Sequence, residues 1–451
     1  MQHKVLVDYE LAVAQQGFIV RALLELKGKA PTPDNRIPLN LAVVLDRSGS
    51  MAGDKLAAAR DAAAMLVQRL HPDDIVSVVA YDDEVTTVAE PATGGAQASL
   101  PTLIKHIEPG GSTNLSGGWL RGRELVARGT RGGGVNRIML LTDGLANCGI
   151  TDSAQLLGLC RTACAAGITT TTIGFGADYD EKLLRGMADA GGASTWYIER
   201  PDQAADVFAE ELEGLLTLSA QTVSLEIRPS DSVTLTAIRH QYPTTTLGTG
   251  GARLELGDVY AREPKSVLVE FFVPGIPSSR ANASEASGIR GIAGVLVEGP
   301  ADVAIAHITL TAHVLTDAGG VERQEIVFPI TTCLTSDSHT EPEVRREMLL
   351  LDAAKAREDA LRLRDEGDLG TAAGLLRDLS ARLAVAPEEY GSVVAAELRE
   401  QSADLMSMAD AFAAENVSAQ DAKYLAQRAY NAHRGKRAYE EKLSRGGRGS
   451  A

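Results

Sequence analysis

The sequence predicts an α/β unit on a buried parallel sheet, joined to an antiparallel β-sandwich and followed by an α-helical domain. Three observations predict it. From Leu39 to about Leu218, short and almost continuously apolar runs alternate with helical ones, as in a doubly wound sheet covered on both faces. After Ser219 the helical period gives way to strand-like segments at regular spacing, with Gly and Pro between them. From Glu343 onward the period becomes helical again.

Taken in order, residues 3–26 hold two alternating stretches, KVLVDYEL and GFIVRALLEL, around the turn-like AQQG, which reads as an antiparallel pair. Two lone strands cannot bury a face by themselves, so these should pair with strands beyond Ser219. A proline-rich spacer, KGKAPTPDNRIP, follows. The α/β unit should contain strands LNLAVVL, DIVSVVAY, EVTTVAE, NRIMLLT, ITTTTIGFG and STWYIE. Between them lie the helices KLAAARDAAAMLVQRL, SLPTLIKHI, LSGGWLRGRELVAR, SAQLLGLCRTACAA, EKLLRGMADAG and QAADVFAEELEGLLTLSA. Sandwich strands are VSLEIRP, VTLTAIRH, ARLELGDV, SVLVEFFVP, AHITLTAHVLT and QEIVFPITT. In the helical part, Gly367-Asp368 separates two amphipathic runs, and further runs start near Ser392 and Ser418. The resulting partition is 1–36 for the N-terminal sandwich strands, 37–218 for the α/β unit, 219–340 for the rest of the sandwich, 341–435 for the helical domain and 436–451 for a flexible tail.

Lys plus Arg number 44 against 60 Asp plus Glu, and the net charge of -16 argues against a general nucleic-acid coat. No stretch reaches 18 apolar residues, and charges interrupt the apolar N-terminus, so neither a membrane span nor a signal peptide is expected. Cys148, Cys160, Cys164 and Cys333 are too few and too unevenly spread for a disulfide framework. A reduced, cytoplasmic protein is the expectation. Cys160 and Cys164 share a helix face and read as small packing side chains rather than a zinc site.

The first α/β strand ends in Asp46-Arg47-Ser48-Gly49-Ser50, placing a carboxylate and two hydroxyls on the carboxyl edge of the sheet, where ligands of open α/β sheets bind. Two more turns on that edge carry oxygens: Gly110-Gly111-Ser112-Thr113-Asn114-Leu115 and Thr142-Asp143-Gly144. Asp46, Ser48, Ser50, Thr113 and Asp143 all present hard oxygens, which suits Mg²⁺ or Mn²⁺, or less well Ca²⁺, and not Zn²⁺. Taken alone, Asp-x-Ser-x-Ser also reads as a helix N-cap.

These residues resemble the complete metal-ion-dependent adhesion site of von Willebrand factor type A domains: Asp46-x-Ser48-x-Ser50, then Thr113 in a Gly-Gly-Ser-Thr-Asn turn, then Asp143 in Thr-Asp-Gly. The resemblance implies a Rossmann-like domain that binds a protein ligand through the metal, usually by an Asp or Glu of the partner. It also assigns Thr113 to the ligand-engaged form of the site. The flanking segments resemble bacterial relatives of inter-alpha-trypsin-inhibitor heavy chains and calcium-activated chloride channel regulators.

The expectation is therefore a binding protein and not an enzyme. A dehalogenase-type phosphatase needs a second acid where Ser48 stands. The sequence has no phosphate-cradling Gly-x-x-x-x-Gly-Lys-Ser/Thr and no Gly-x-Ser-x-Gly elbow, and its eight His are scattered. The alternative is a subunit of a chelatase-like or MoxR-type AAA+ ATPase assembly, in which similar domains work beside an ATP-hydrolysing partner.

Overall fold

The computed structural model describes residues 1–9, 17–29, 36–93, 98–130, 134–176, 178–261, 263–274, 302–316, 320–333, 340–385 and 392–435. Residues 14–16 of the expected AQQG turn, residues 30–35 of the proline-rich spacer and the tail fall outside these residues.

A six-stranded sheet forms the centre of the α/β unit, in the order β5-β4-β3-β6-β7-β8. Its strands are β3 (Leu39–Asp46), β4 (Ile75–Tyr81), β5 (Val85–Thr93), β6 (Val135–Thr142), β7 (Ile168–Phe175) and β8 (Gly192–Ile198). Every residue of β3, β4, β6 and β7 is buried, because helices cover both faces. Strand alternation divides the core in two. Leu41, Val43 and Leu45 face α1 (Asp54–Arg69), α2 (Leu100–Lys105) and α6 (Ala204–Leu216), whereas Ala42 and Val44 face α3 (Leu115–Gly129), α4 (Ser153–Ala165) and α5 (Glu181–Ala190).

One strand departs from the expected parallel sheet. β5 runs antiparallel to β4, since Asp82-Asp83-Glu84 is too short for a crossover helix. A second departure concerns α6, which ends at Leu216 and not at Ala220. Thr217 closes the helix with N–H bonds to Glu213 and Gly214 carbonyls, and the alternation of LSAQTVSLEI then starts β9 (Leu218–Pro229).

The sandwich consists of two antiparallel sheets, β1-β2-β13-β10 and β11-β12-β9-β14-β15. The first holds β1 (Gln2–Tyr9), β2 (Phe18–Lys27), β10 (Thr234–Ile238) and β13 (Lys265–Val273). The second holds β9, β11 (Thr244–Thr246), β12 (Ala252–Tyr260), β14 (Asp302–Leu315) and β15 (Val321–Cys333). β2 pairs with β13 from Phe18–Val273 to Leu26–Lys265, so the α/β unit lies in the chain between two strands of one sandwich. Val20, Ala22 and Leu24 of β2 meet Leu225, Ile227, Ile308 and Leu310 of the opposite sheet in a shared apolar layer. The outer face of the first sheet is covered in turn, because Leu23 and Leu268 pack against Val344 and Leu351 of α7 (Pro342–Asp365).

The helical domain continues with α8 (Leu369–Ala384), α9 (Ser392–Ala413) and α10 (Ala419–His433). No helix among the described residues is long and apolar enough to cross a membrane. α10 lies against the α/β unit: Lys423 Nζ donates to the Tyr179 carbonyl at 2.8 Å, and Tyr430 donates to Asp189 at 2.6 Å. Just beyond its end, Arg434 pairs with Asp189, and its carbonyl accepts from Tyr242 of the sandwich.

A buried charge joins the α/β unit to the sandwich. Arg137, near the amino end of β6, pairs with Asp258 of β12 and donates to Thr171 at 3.0 Å. Glu211 of α6 lies 3.8 Å from the same guanidinium and accepts from Thr171 at 2.6 Å and Trp196 at 2.8 Å. Breaking a buried pair from one side leaves an uncompensated charge, so Arg137→Met should cost about 3–5 kcal/mol. Urea unfolding checks this, and Arg137→Met/Asp258→Asn should recover much of the loss. A single mutant as stable as the parent would show that the pair does not hold the two units together.

Candidate metal centre

The expected oxygen ligands meet at the carboxyl edge of the sheet. β3 and β6 are in register from Leu39–Val135 to Leu45–Leu141, so Asp46 and Thr142 end neighbouring strands side by side. Asp46 is fully buried; its Oδ1 accepts the Ser48 N–H at 2.8 Å and its Oδ2 the Thr142 hydroxyl at 2.6 Å. Burial raises its pKa above the usual carboxylate range against the pull of these two donors, and the charge of Asp143 raises it further.

The two serines stand between the carboxylates. Ser48 Oγ and Ser50 Oγ are 3.2 Å apart, and Ser50 Oγ donates to Asp143 Oδ1 at 2.7 Å. Thr113 belongs to the same cluster: a Cβ built on Gly144 would lie 3.4 Å from Thr113 Oγ1 and 3.6 Å from Ser50 Oγ. Neither serine acts as a cap. Ser48 makes no capping bond to the short 3-10 turn Gly49–Met51, and α1 starts after Gly53, which has no side chain to cap with.

Backbone hydrogen bonds lace the three loops together. Gly49 N–H donates to the Gly111 carbonyl at 2.9 Å, Gly110 N–H to the Arg47 carbonyl at 2.7 Å, and Asn147 and Cys148 N–H to the Thr113 carbonyl, each at 3.1 Å. Asp82, at the end of β4, anchors the middle loop by accepting from Gly111 N–H at 3.0 Å. Burial opposes its charge, but the N–H groups of Gly111 and Glu84 and the Arg47 guanidinium hold its pKa below the usual range. Gly110 is required for this approach, since a Cβ there would fall 1.6 Å from Asp82 Oδ2.

The arrangement suits a hard dication. Oxygens about 2.1 Å from an octahedral ion lie about 3.0 Å from one another. The spacings of 3.2 Å between the serine oxygens and 2.7 Å from Ser50 to Asp143 fall on either side of that figure. No group of three or more His, Cys, Asp or Glu suited to a metal occurs among the described residues, so the candidate depends on hydroxyls beside two carboxylates.

The family described as von Willebrand factor type A domain matches residues 40–210, the span that holds this sheet and all three loops. Residues 40–210 form a von Willebrand factor type A domain.

Relatives match over more residues than the A domain spans. The uncharacterized protein sll0103 of Synechocystis is 30% identical over 258 residues, covering 55% of this chain and 61% of that protein. Inter-alpha-trypsin inhibitor heavy chain H1 of Sus scrofa is 28% identical over 226 residues, covering 47% and 24% respectively. The chain thus spans about three-fifths and one-quarter of those two relatives. A solved von Willebrand factor type A structure from Catenulispora acidiphila has a TM-score of 0.63 at 17% identity, over 90% of this chain and 88% of that one, and so shares the fold.

Three residues besides the five expected ligands carry contacts at the A-domain edge. Thr142 holds Asp46, Asp82 holds the glycine turn, and Lys55 Nζ contacts Asp143 Oδ2 at 2.5 Å. Thr142 stands within the Thr-Asp-Gly motif but not among the five expected ligands, and the available signal for Asp82 was a carboxylate directly after β4. Lys55 had a different one, a lysine in the first turn of a helix. Cys160 and Cys164 lie on α4, and burial pushes their thiols up to about 12.

The raised pKa of Asp46 has a stability consequence. Extra proton affinity in the fold stabilises it below the ordinary Asp range, and that contribution is lost as pH rises through the raised value. In chelator at neutral pH, Asp46→Asn should therefore melt no lower than the parent, with the difference shifting in the parent's favour as pH falls. A mutant several degrees less stable at neutral pH would contradict this.

Proposed function

We propose that this protein binds a partner protein in a metal-dependent way, through a Mg²⁺ or Mn²⁺ ion held by Asp46, Ser48, Ser50, Thr113 and Asp143. The observation that carries the reading is the convergence of these residues on one loop edge, with the serine oxygens 3.2 Å apart and Ser50 2.7 Å from Asp143, on either side of an octahedral spacing. When bound, the ion supplies a Lewis-acidic centre that accepts an external carboxylate from an Asp or Glu of the partner.

The chain's own residues do the positioning. Ser48 and Ser50 offer neutral oxygens, so the set carries only two formal negative charges from its ligands. Asp46 is fixed by the Ser48 N–H and the Thr142 hydroxyl and cannot swing toward solvent. Thr113 is buried, and its carbonyl is tied to Asn147 and Cys148, which holds its loop against the one after β6. We propose binding without turnover. The free thiols of Cys148, Cys160 and Cys164 support a reducing, cytoplasmic setting.

Calorimetry tests the first half of this reading: the protein should bind about one Mg²⁺ or Mn²⁺, and Asp46→Ala should abolish it by removing a charged ligand. Unchanged affinity in that mutant would end the assignment. Affinity capture tests the second half. Partners held in Mg²⁺ should be lost in chelator and lost to Asp46→Ala, and Thr113→Ala should weaken capture more than ion binding. Capture that survives chelator would place the contact elsewhere on the protein.

A further inference from the structure

We propose that Lys55 is an internal cation of the site, which keeps ion affinity low and makes an acidic partner group the natural completion of the ion-loaded form. This rests on the metal-site reading above and adds a residue that reading does not contain.

Lys55 is placed against its local preference. It sits in the first turn of α1, where the helix dipole disfavours a positive charge, and Gly53 provides no side-chain cap there. Its ammonium nevertheless turns back across the edge to Asp143 Oδ2 at 2.5 Å. Only 29% of the Lys55 side chain is exposed, and the Asp143 side chain is fully buried, so water screens the pair weakly. Gly176, just beyond β7, closes the other side: a Cβ there would lie 3.6 Å from Lys55 Nζ. With Ser50 on Oδ1 and Lys55 on Oδ2, both oxygens of Asp143 are already engaged.

The charge count then decides what the site asks for. Two carboxylates and one ammonium leave one negative charge, a dication turns this into one positive charge, and a single incoming carboxylate brings it to zero. Without Lys55, the ion-loaded site would already be neutral, and an incoming carboxylate would make it negative. Lys55 therefore repels the ion and attracts the partner's acid. Over several ångströms, repulsion between a unit charge and a dication amounts to about tenfold in affinity even at the dielectric of water.

The test is a Mn²⁺ titration of the full chain, followed by the electron paramagnetic resonance signal of free Mn²⁺, for the parent, Lys55→Met, Lys55→Arg and Asp46→Ala. Lys55→Met should bind about tenfold more tightly or better, Lys55→Arg should stay near the parent, and Asp46→Ala should not bind. Melting in chelator checks folding, and Lys55→Gln repeats the comparison if Lys55→Met melts early. Mg²⁺ should also raise the melting temperature of the neutral variants more than that of the parent. Sodium acetate, matched to sodium chloride in ionic strength, should tighten Mn²⁺ retention in the parent more than in Lys55→Met. Equal or weaker ion binding in the neutral variants would overturn the role of Lys55 while leaving the metal site standing. An equal acetate effect would remove the link to the partner's acid, and Mn²⁺ binding by Asp46→Ala at parental affinity would overturn the metal site and this inference together.

Discussion

The carboxylate of Asp46 is the constraint on which the rest of the edge depends. It lies at zero exposure at the end of a strand buried on both faces, where a charge is tolerated only if donors surround it. Two donors do so, and each fixes a loop. The Ser48 N–H bends the chain directly after β3, and the Thr142 hydroxyl couples the next strand to the same oxygen pair. Once these loops are set, Ser50 reaches Asp143, and the Gly110-Gly111 turn closes over Gly49 and Arg47 by backbone bonds, with Asp82 accepting from Gly111. The same burial that raises the pKa of Asp46 is what a nearby dication would offset under the proposed reading.

The sandwich grips the A domain from the end away from these loops. Arg137 lies toward the amino end of β6, and Asp143 follows its carboxyl end, so the buried pair with Asp258 and the oxygen cluster sit at opposite ends of one strand. Gly257 of β12 passes so close to Gly192 that a Cβ would fall 2.8 Å from its carbonyl oxygen, which brings the sandwich backbone directly against β8. α10 adds a second hold on α5 and on the chain just beyond β7 through Tyr430 and Lys423. These contacts leave the loop edge to face outward on a domain held in one orientation.

Much of this was legible in the sequence, for identifiable reasons. The buried strands of the A domain are continuous apolar runs, and its helices carry a clear 3.6-residue period, so local pattern sufficed. The five candidate ligands stand in three short motifs, each at a strand end or in a turn. What escaped reading depends on partners far apart in the chain. Lys55 meets Asp143 across 88 positions, and Arg137 meets Asp258 across 121, and neither spacing leaves a local trace. The antiparallel β5 was hidden for another reason. Its alternation is the same in either direction, and only the three-residue turn after β4 excludes a crossover. The three-residue β11 is too short to show any period.

The most direct test of the central claim is an anomalous difference map from crystals of the full chain grown with Mn²⁺. The account predicts one strong peak enclosed by the oxygens of Asp46, Ser48, Ser50, Thr113 and Asp143, and its loss in crystals of Asp46→Ala. A map with no peak among these oxygens at saturating Mn²⁺, or with its strongest ordered peak elsewhere on the chain, would contradict it.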